Sequence, residues 1–328
     1  MAKRRLPRRE DYTVGWVCAL PVELAAAQEM LDEEHEDLDH DANSTNIYTL
    51  GRIGEHNVVI ACLPKGQTGT DSATAVATQM KSAFTSIRFG LMVGIGGGVP
   101  SLKADIRLGD VVVSSPDRVH GGVVQYDSGK AAPSGFGRTG FLNTPPTILL
   151  NAVAKLQASH FRGRSRLLDY VSKLNGLPMF TREATGPDVL FEADYNHVEG
   201  ATCEQCSGER VVDREPRGQE IVVHYGTIAS GNRVMRDAAE RDRVSSELGG
   251  VLCFEMEAAG LMNSFPCLVI RGICDYADSH KNKRWQASAA GAAAAYAKEV
   301  LSVIPTAEVA KSRTVNEIIR EKNGWYSE

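Results

Sequence analysis

The chain has 328 residues, 43% of them hydrophobic and 23% charged, and its 36 Lys and Arg against 41 Asp and Glu leave a formal charge of −5. That balance excludes a generally basic nucleic-acid binder, and the length suits one large α/β core or two modest ones. The apolar runs Val251–Phe254 and Cys267–Ile270 meet charge far short of the ~20 residues of a spanning helix, and the basic start Met1–Glu10 has no apolar stretch behind it, so neither a membrane span nor a secretory signal is expected.

After a basic tail over residues 1–10, Tyr12–Leu20 reads as a buried strand that stops at Pro21, and Val22–Leu38 as the following helix. Short strands at Ile47–Leu50 and Val58–Leu63 form a hairpin, and a helix over Asp71–Phe84 follows a glycine-containing loop. The run Phe89–Val93 ends in a glycine loop, Gly94–Gly98, and Asp110–Ser115 is a further strand. Pro145 and Pro146 precede a helix through Leu156, whereas Phe161–Gly218 is polar and turn-rich and reads as an insertion. Regularity returns with a strand at Ile221–Ser230, a helix at Val234–Ser246, a strand at Val251–Phe254, a helix from Met256 and a strand at Cys267–Ile273. The alanine-rich Trp285–Val303 is a final helix. Beyond Pro305 a short helix at Thr314–Lys322 starts with a Thr314/Glu317 capping box in a tail or linker, residues 305–328. The alternation implies a largely parallel or mixed sheet covered on both faces, and the expectation is a single α/β domain over residues 11–304 with a twisted mixed sheet flanked by helices. Seven cysteines, an odd number, suit a reducing compartment, the cytoplasm.

Four carboxylates stand at strand ends: Glu23, Glu255, Glu257 and Asp275. If the strands carry their ends to one edge, these groups and Gly94–Gly98 converge on one crevice; taken singly, each reads more simply as a helix cap or a solvated group. Cys203-Glu-Gln-Cys206, with His197 before it and His224 after it, has the ligand types of a Cys₂His₂ zinc site, against the plainer reading of two reduced cysteines in a turn. Lys281, Lys283 and Arg284 form either a solvated loop or a receptor for phosphates. The acidic stretch Glu29–Asp41 reads as a solvated helix end and loop.

Cys253-Phe-Glu-Met-Glu-Ala-Ala-Gly260 resembles the E-M-E-A-A signature of the nucleoside phosphorylase and nucleosidase superfamily, and Ile270-Arg-Gly-Ile-Cys-Asp-Tyr-Ala-Asp278 its R-x-I-S-D-x-A-D segment. Gly94–Gly98 with Leu108-Gly-Asp-Val-Val-Val113 is similar to its glycine loop and following strand, and Ile228-Ala-Ser-Gly-Asn232 to its S-G-D/N element. Gly272–Trp285 resembles most the fungal members that precede NACHT or ankyrin-repeat regions.

The resemblance implies cleavage of a purine N-glycosidic bond through an oxocarbenium-like transition state, with Asp275 as acid toward N7 and Glu257 accepting from the ribose hydroxyls. It implies that Glu255 and Met256 also bind ribose, and that Gly94, Ile95, Gly96, Ser230, Asn232 and Val234 line base and sugar. Glu23 matches the glutamate with which the nucleosidases position water, and Met92 stands where phosphorylases carry a phosphate-binding arginine. Hydrolysis of adenosine or a related purine nucleoside or nucleotide, to free base and ribose or its phosphate, is therefore expected in a homo-oligomer, with no metal or organic cofactor and no nucleic-acid or membrane partner. A phosphorolytic enzyme and a non-catalytic nucleotide sensor are the alternatives. Ile95 and Cys274 depart from the hydroxyl residues usual at their positions, and Arg233-Val-Met235 lacks the usual stacking aromatic.

Overall fold

The computed structural model describes residues 7–39, 44–133 and 135–324. Residues 1–6 of the basic tail, 40 and 41 of the acidic stretch and 325–328 of the C-terminal segment lie outside them. In chain order the elements are β1 (Val14–Cys18), α1 (Pro21–Glu29), β2 (Glu33–Glu34), β3 (Tyr48–Ile53), β4 (His56–Cys62), α2 (Thr70–Ala83), β5 (Phe89–Gly98), β6 (Val111–Ser114), β7 (Val123–Gln125), β8 (Gly129–Ala132) and β9 (Gly135–Arg138). Then come α3 (Thr147–Phe161), α4 (Leu167–Val171), β10 (Val223–Gly226), β11 (Ile228–Ser230), α5 (Ala238–Glu247), β12 (Cys253–Glu255), β13 (Cys267–Asp275), α6 (Gln286–Ser302), α7 (Thr306–Lys311) and α8 (Val315–Gly324). Among the described residues no helix is long and apolar enough to cross a membrane.

The main sheet runs β10-β6-β13-β5-β1-β4-β3-β2, parallel from β13 through β5 and β1 to β4 and antiparallel at β13/β6 and β4/β3. This is the expected mixed sheet. Its central strands are largely apolar because both faces are covered. Val14, Trp16 and Cys18 pack with α1, α3 and α6 on one side, while Val17, Met92 and Val269 pack with α2 on the other. The alanines of α6 let it lie on β13: a Cβ on Gly272 would stand 1.8 Å from the Ala289 carbonyl oxygen.

Some local expectations give way to tertiary pairing. α1 ends at Glu29 rather than Leu38, because the acidic stretch pairs with the hairpin: Asp32 N–H donates to Arg52 O at 2.7 Å, and Glu33 bonds the Arg52 side chain at 3.0 Å. The expected strand over residues 221–230 divides at Thr227 into β10 and β11, which join different neighbours, β6 and the pair β7/β12. The expected helix from Met256 is a single 3-10 turn, Ala258–Gly260, against the start of α2; a Cβ on Gly260 would stand 2.1 Å from Thr70 O. Gly94–Gly98 is not a loop but the second half of β5, which leaves β1 and meets β12 at Gly97 and Gly98. The insertion holds α3's last residue, α4 and five 3-10 turns, with one isolated bridge between Phe191 and Val211. The C-terminal segment packs on the body through buried Val309 and Val315, and Thr314 and Glu317 exchange the capping-box bonds.

Candidate active site

β13 carries a charge in the middle of an apolar run. Arg271 is 1% exposed, and a guanidinium keeps its proton, so it must find carboxylates. Its Nη2 pairs with Glu255 and lies 3.3 Å from Glu257 Oε2, while Nη1 donates to Ile95 O at 3.3 Å. A Cβ on Gly94 would stand 2.5 Å from both Arg271 Nη1 and Glu23 Oε1. Glycine is needed there for close approach, which explains why the run stays glycine-rich inside a strand.

Glu23 is the third residue of α1 and bonds back to its cap. Oε2 accepts from the N–H groups of Ala19 at 2.7 Å and Leu20 at 3.0 Å, and Oε1 accepts from Ile95 N–H at 2.8 Å. The cap reading therefore holds for this residue, which also reaches the glycine-rich half of β5. Two oxygens offer about four lone-pair positions, so one on Oε1 remains open. Burial pushes the Glu23 carboxyl above its ordinary value against the pull of Arg271 and the three N–H donors.

Glu257 follows β12. Its Oε1 accepts from Gly69 N–H at 3.3 Å, and burial, partly offset by Arg271 and reinforced by Glu255 and Glu23, pushes its carboxyl up to about 7. Glu255 is spent on structure: besides Arg271 it accepts from Glu257 N–H and Ala258 N–H, both at 3.0 Å.

Asp275 ends β13 at a bulge, where Ile273 faces Gly96 and Asp275 faces Gly97, an extra residue that re-aims the side chain. Ala277, in the left-handed region at φ 53°, donates its N–H to Asp275 Oδ1 at 2.9 Å. Cys274 Sγ donates to Oδ2 at 3.1 Å; burial, with Asp275 beside it, pushes this thiol well up, so it keeps its proton and serves as a donor. Lys281 Nζ also reaches Oδ2, at 3.1 Å.

Glu23, Ile95, Gly96, Val234, Met256, Glu257 and Asp275 line one cavity of about 190 Å³, with Arg233 and Lys281 also on its wall. Glu255 lines it too, though its oxygens are engaged as described. Gly94, Ser230 and Asn232 are not among the lining residues; they brace the walls. Ser230 Oγ accepts from Ala259 N–H at 2.9 Å, and Asn232 Oδ1 accepts from Thr70 N–H, at the start of α2, at 2.9 Å. Met92 is fully buried in the core. The basic loop divides: Lys281 faces Asp275, whereas Arg284 faces a second cavity of about 310 Å³, which Asp275 also lines, and lies 3.9 Å from Glu204.

His224 is not with the cysteines. Its Nε2 lies 3.0 Å from Oδ2 of buried Asp110, which also pairs with Arg217 and accepts from Val222 N–H at 2.9 Å. Beside His197, Cys203 and Cys206 stands His280, five residues beyond Asp275 and brought there by the turn after β13. Arg271 and His280 are the residues that sequence reading passed over. The signal for Arg271 was a lone charge inside an apolar strand; for His280, 74 residues from Cys206, there was none.

A sequence model of the Phosphorylase superfamily matches residues 13–305. A nucleotide-binding leucine-rich repeat-like protein of Hyaloscypha variabilis is 49% identical over 311 residues, 94% of this chain and 31% of that protein. An ATP nucleosidase of Escherichia coli is 26% identical over 285 residues, 84% of this chain and 48% of that protein. The chain thus spans a third to a half of these relatives. Futalosine hydrolase of Helicobacter pylori shares the fold with a TM-score of 0.58 at 18% identity, covering 90% of this chain and 99% of that one. With its motifs in order on this sheet, the chain belongs to the phosphorylase superfamily.

Proposed function

We propose that this chain hydrolyses the N-glycosidic bond of an adenine nucleoside or nucleotide. The observation that carries the reading is the convergence of Glu23, Glu257 and Asp275 on one cavity whose buried guanidinium, Arg271, is already neutralised by carboxylates. A departing sugar cation is stabilised by such carboxylates, whereas a phosphate dianion would be repelled by them. In this mechanism Glu23 holds water through its open Oε1 position and takes its proton, Glu257 accepts from the ribose hydroxyls, and Met256 packs on the sugar. Asp275 shares a proton with N7 once the purine replaces Lys281 at Oδ2. The chemistry needs no metal or organic cofactor.

Arg233 and Lys281 on the cavity wall support a nucleotide rather than an apolar 5′ group, as does the relative named as an ATP nucleosidase. The seven cysteines, all free, fit a cytoplasmic protein. Assembly of several copies belongs to the same reading, and light scattering on the purified chain tests it. The deciding experiment is adenine release from adenosine and ATP, with and without inorganic phosphate. Release from either without phosphate is expected; strictly phosphate-dependent release would install the phosphorylase instead. The relative named as a nucleotide-binding leucine-rich repeat-like protein favours one other reading, a sensor, which tight binding without release would select.

A further inference from the structure

The ring nitrogens and thiols of His197, Cys203, Cys206 and His280 all lie within 4.8 Å of one another. The four sulfur-to-Nδ1 distances are 3.3, 3.6, 3.7 and 3.8 Å. With Zn–S near 2.3 Å and Zn–N near 2.0–2.1 Å, a tetrahedral centre has sulfur-to-nitrogen edges of about 3.6 Å. Both imidazoles are oriented for this. His197 Nε2 lies 3.0 Å from Gly200 O and His280 Nε2 lies 3.0 Å from Tyr195 O, so each donates its N–H to a carbonyl and turns the unprotonated Nδ1 inward. His280 is further held by stacking on Phe191, ring centroids 3.9 Å apart.

We propose that these four side chains bind one structural zinc ion, which ties the insertion to the turn carrying Lys281 past Asp275. On binding, the two thiols release their protons, and the two thiolates balance the charge of Zn²⁺. A redox role for the C-x-x-C pair suits this geometry less, since two imidazole lone pairs face the thiols and all four protein ligands close the coordination shell. The benefit is local. From residue 178 to 218 the insertion has only short 3-10 turns and one isolated bridge, and loop-rich segments of this kind gain from metal or disulfide staples. The zinc is a staple and takes no part in the chemistry.

The test is metal analysis of the full chain purified without metal-affinity resin. About one zinc per chain is expected, with an X-ray absorption edge fitting two sulfur and two nitrogen neighbours, and released by about two equivalents of an organic mercurial. His280→Ala and Cys206→Ser should fall below about a tenth of a zinc per chain and be cut faster by protease between residues 190 and 215, while His224→Gln retains its metal. Folded wild-type protein without metal, a Cys203–Cys206 disulfide by mass spectrometry, a shell other than two sulfurs and two nitrogens, or full zinc in His280→Ala would each overturn the proposal. If a variant fails to fold, the absorption spectrum and mercurial titration of the wild type still decide it.

Discussion

Replacing Glu257 with Gln should make the protein more stable and the enzyme worse. The Glu257 carboxyl is raised from 4.5 to about 7, so above neutral pH its ionised form costs the native state roughly 3 kcal/mol. The cause is burial beside Glu255 and Glu23, which Arg271 at 3.3 Å offsets only in part. For the sign, a group whose native value lies above its unfolded value stabilises fully below the unfolded value and loses that contribution as pH rises through the native one. The wild type should therefore weaken between about pH 4.5 and 7, whereas Glu257→Gln, which stays neutral, should not. The variant's advantage should be about 3 kcal/mol at pH 8 and about 1 kcal/mol at pH 5, read from urea midpoints, with a rise in Tm of about 5 °C at pH 8. On adenosine its kcat/KM should fall about ten- to a hundredfold, the worth of one hydrogen bond to a charged group. A variant less stable than wild type at pH 8, or an advantage that does not shrink at pH 5, would refute the placing of a strained carboxylate at the ribose position.

Other outcomes follow from the same arrangement. Arg271→Met leaves three buried carboxylates without their cation and should cost about 3–5 kcal/mol, measured by thermal unfolding; a loss under about 1 kcal/mol would mean the carboxylates are paired elsewhere. Glu23→Gln and Asp275→Asn should each lower kcat for adenine release by about 10²–10⁴ with little change in KM, and a near-normal kcat in either assigns its role to another group. Arg233→Ala should reduce kcat/KM for ATP about ten- to a hundredfold while sparing adenosine; equal losses on both substrates would show that Arg233 does not meet phosphates.

The strands and helices of the core were legible in the residues because β-branched runs, alanine-rich stretches and proline positions act over a few neighbours. So were Glu23, Glu257 and Asp275, since carboxylates directly after buried strands are rare enough to stand out and the ordered motifs resembled one superfamily. What neighbours in sequence could not decide was which partner each group would find. Glu255 reads like Glu257 two residues away, yet the turn after β12 folds it onto Arg271 and two backbone N–H groups and leaves Glu257 facing the cavity. Gly94–Gly98 reads as a loop until Glu23, Arg271 and Asp275 are packed against it and the absence of side chains becomes what lets a strand pass. His224 and His280 are equally plausible ligands for Cys203 and Cys206 by residue type. Asp110 captures the first, and the turn after β13 delivers the second, because both outcomes depend on contacts between segments dozens of residues apart that exist only once the sheet has formed.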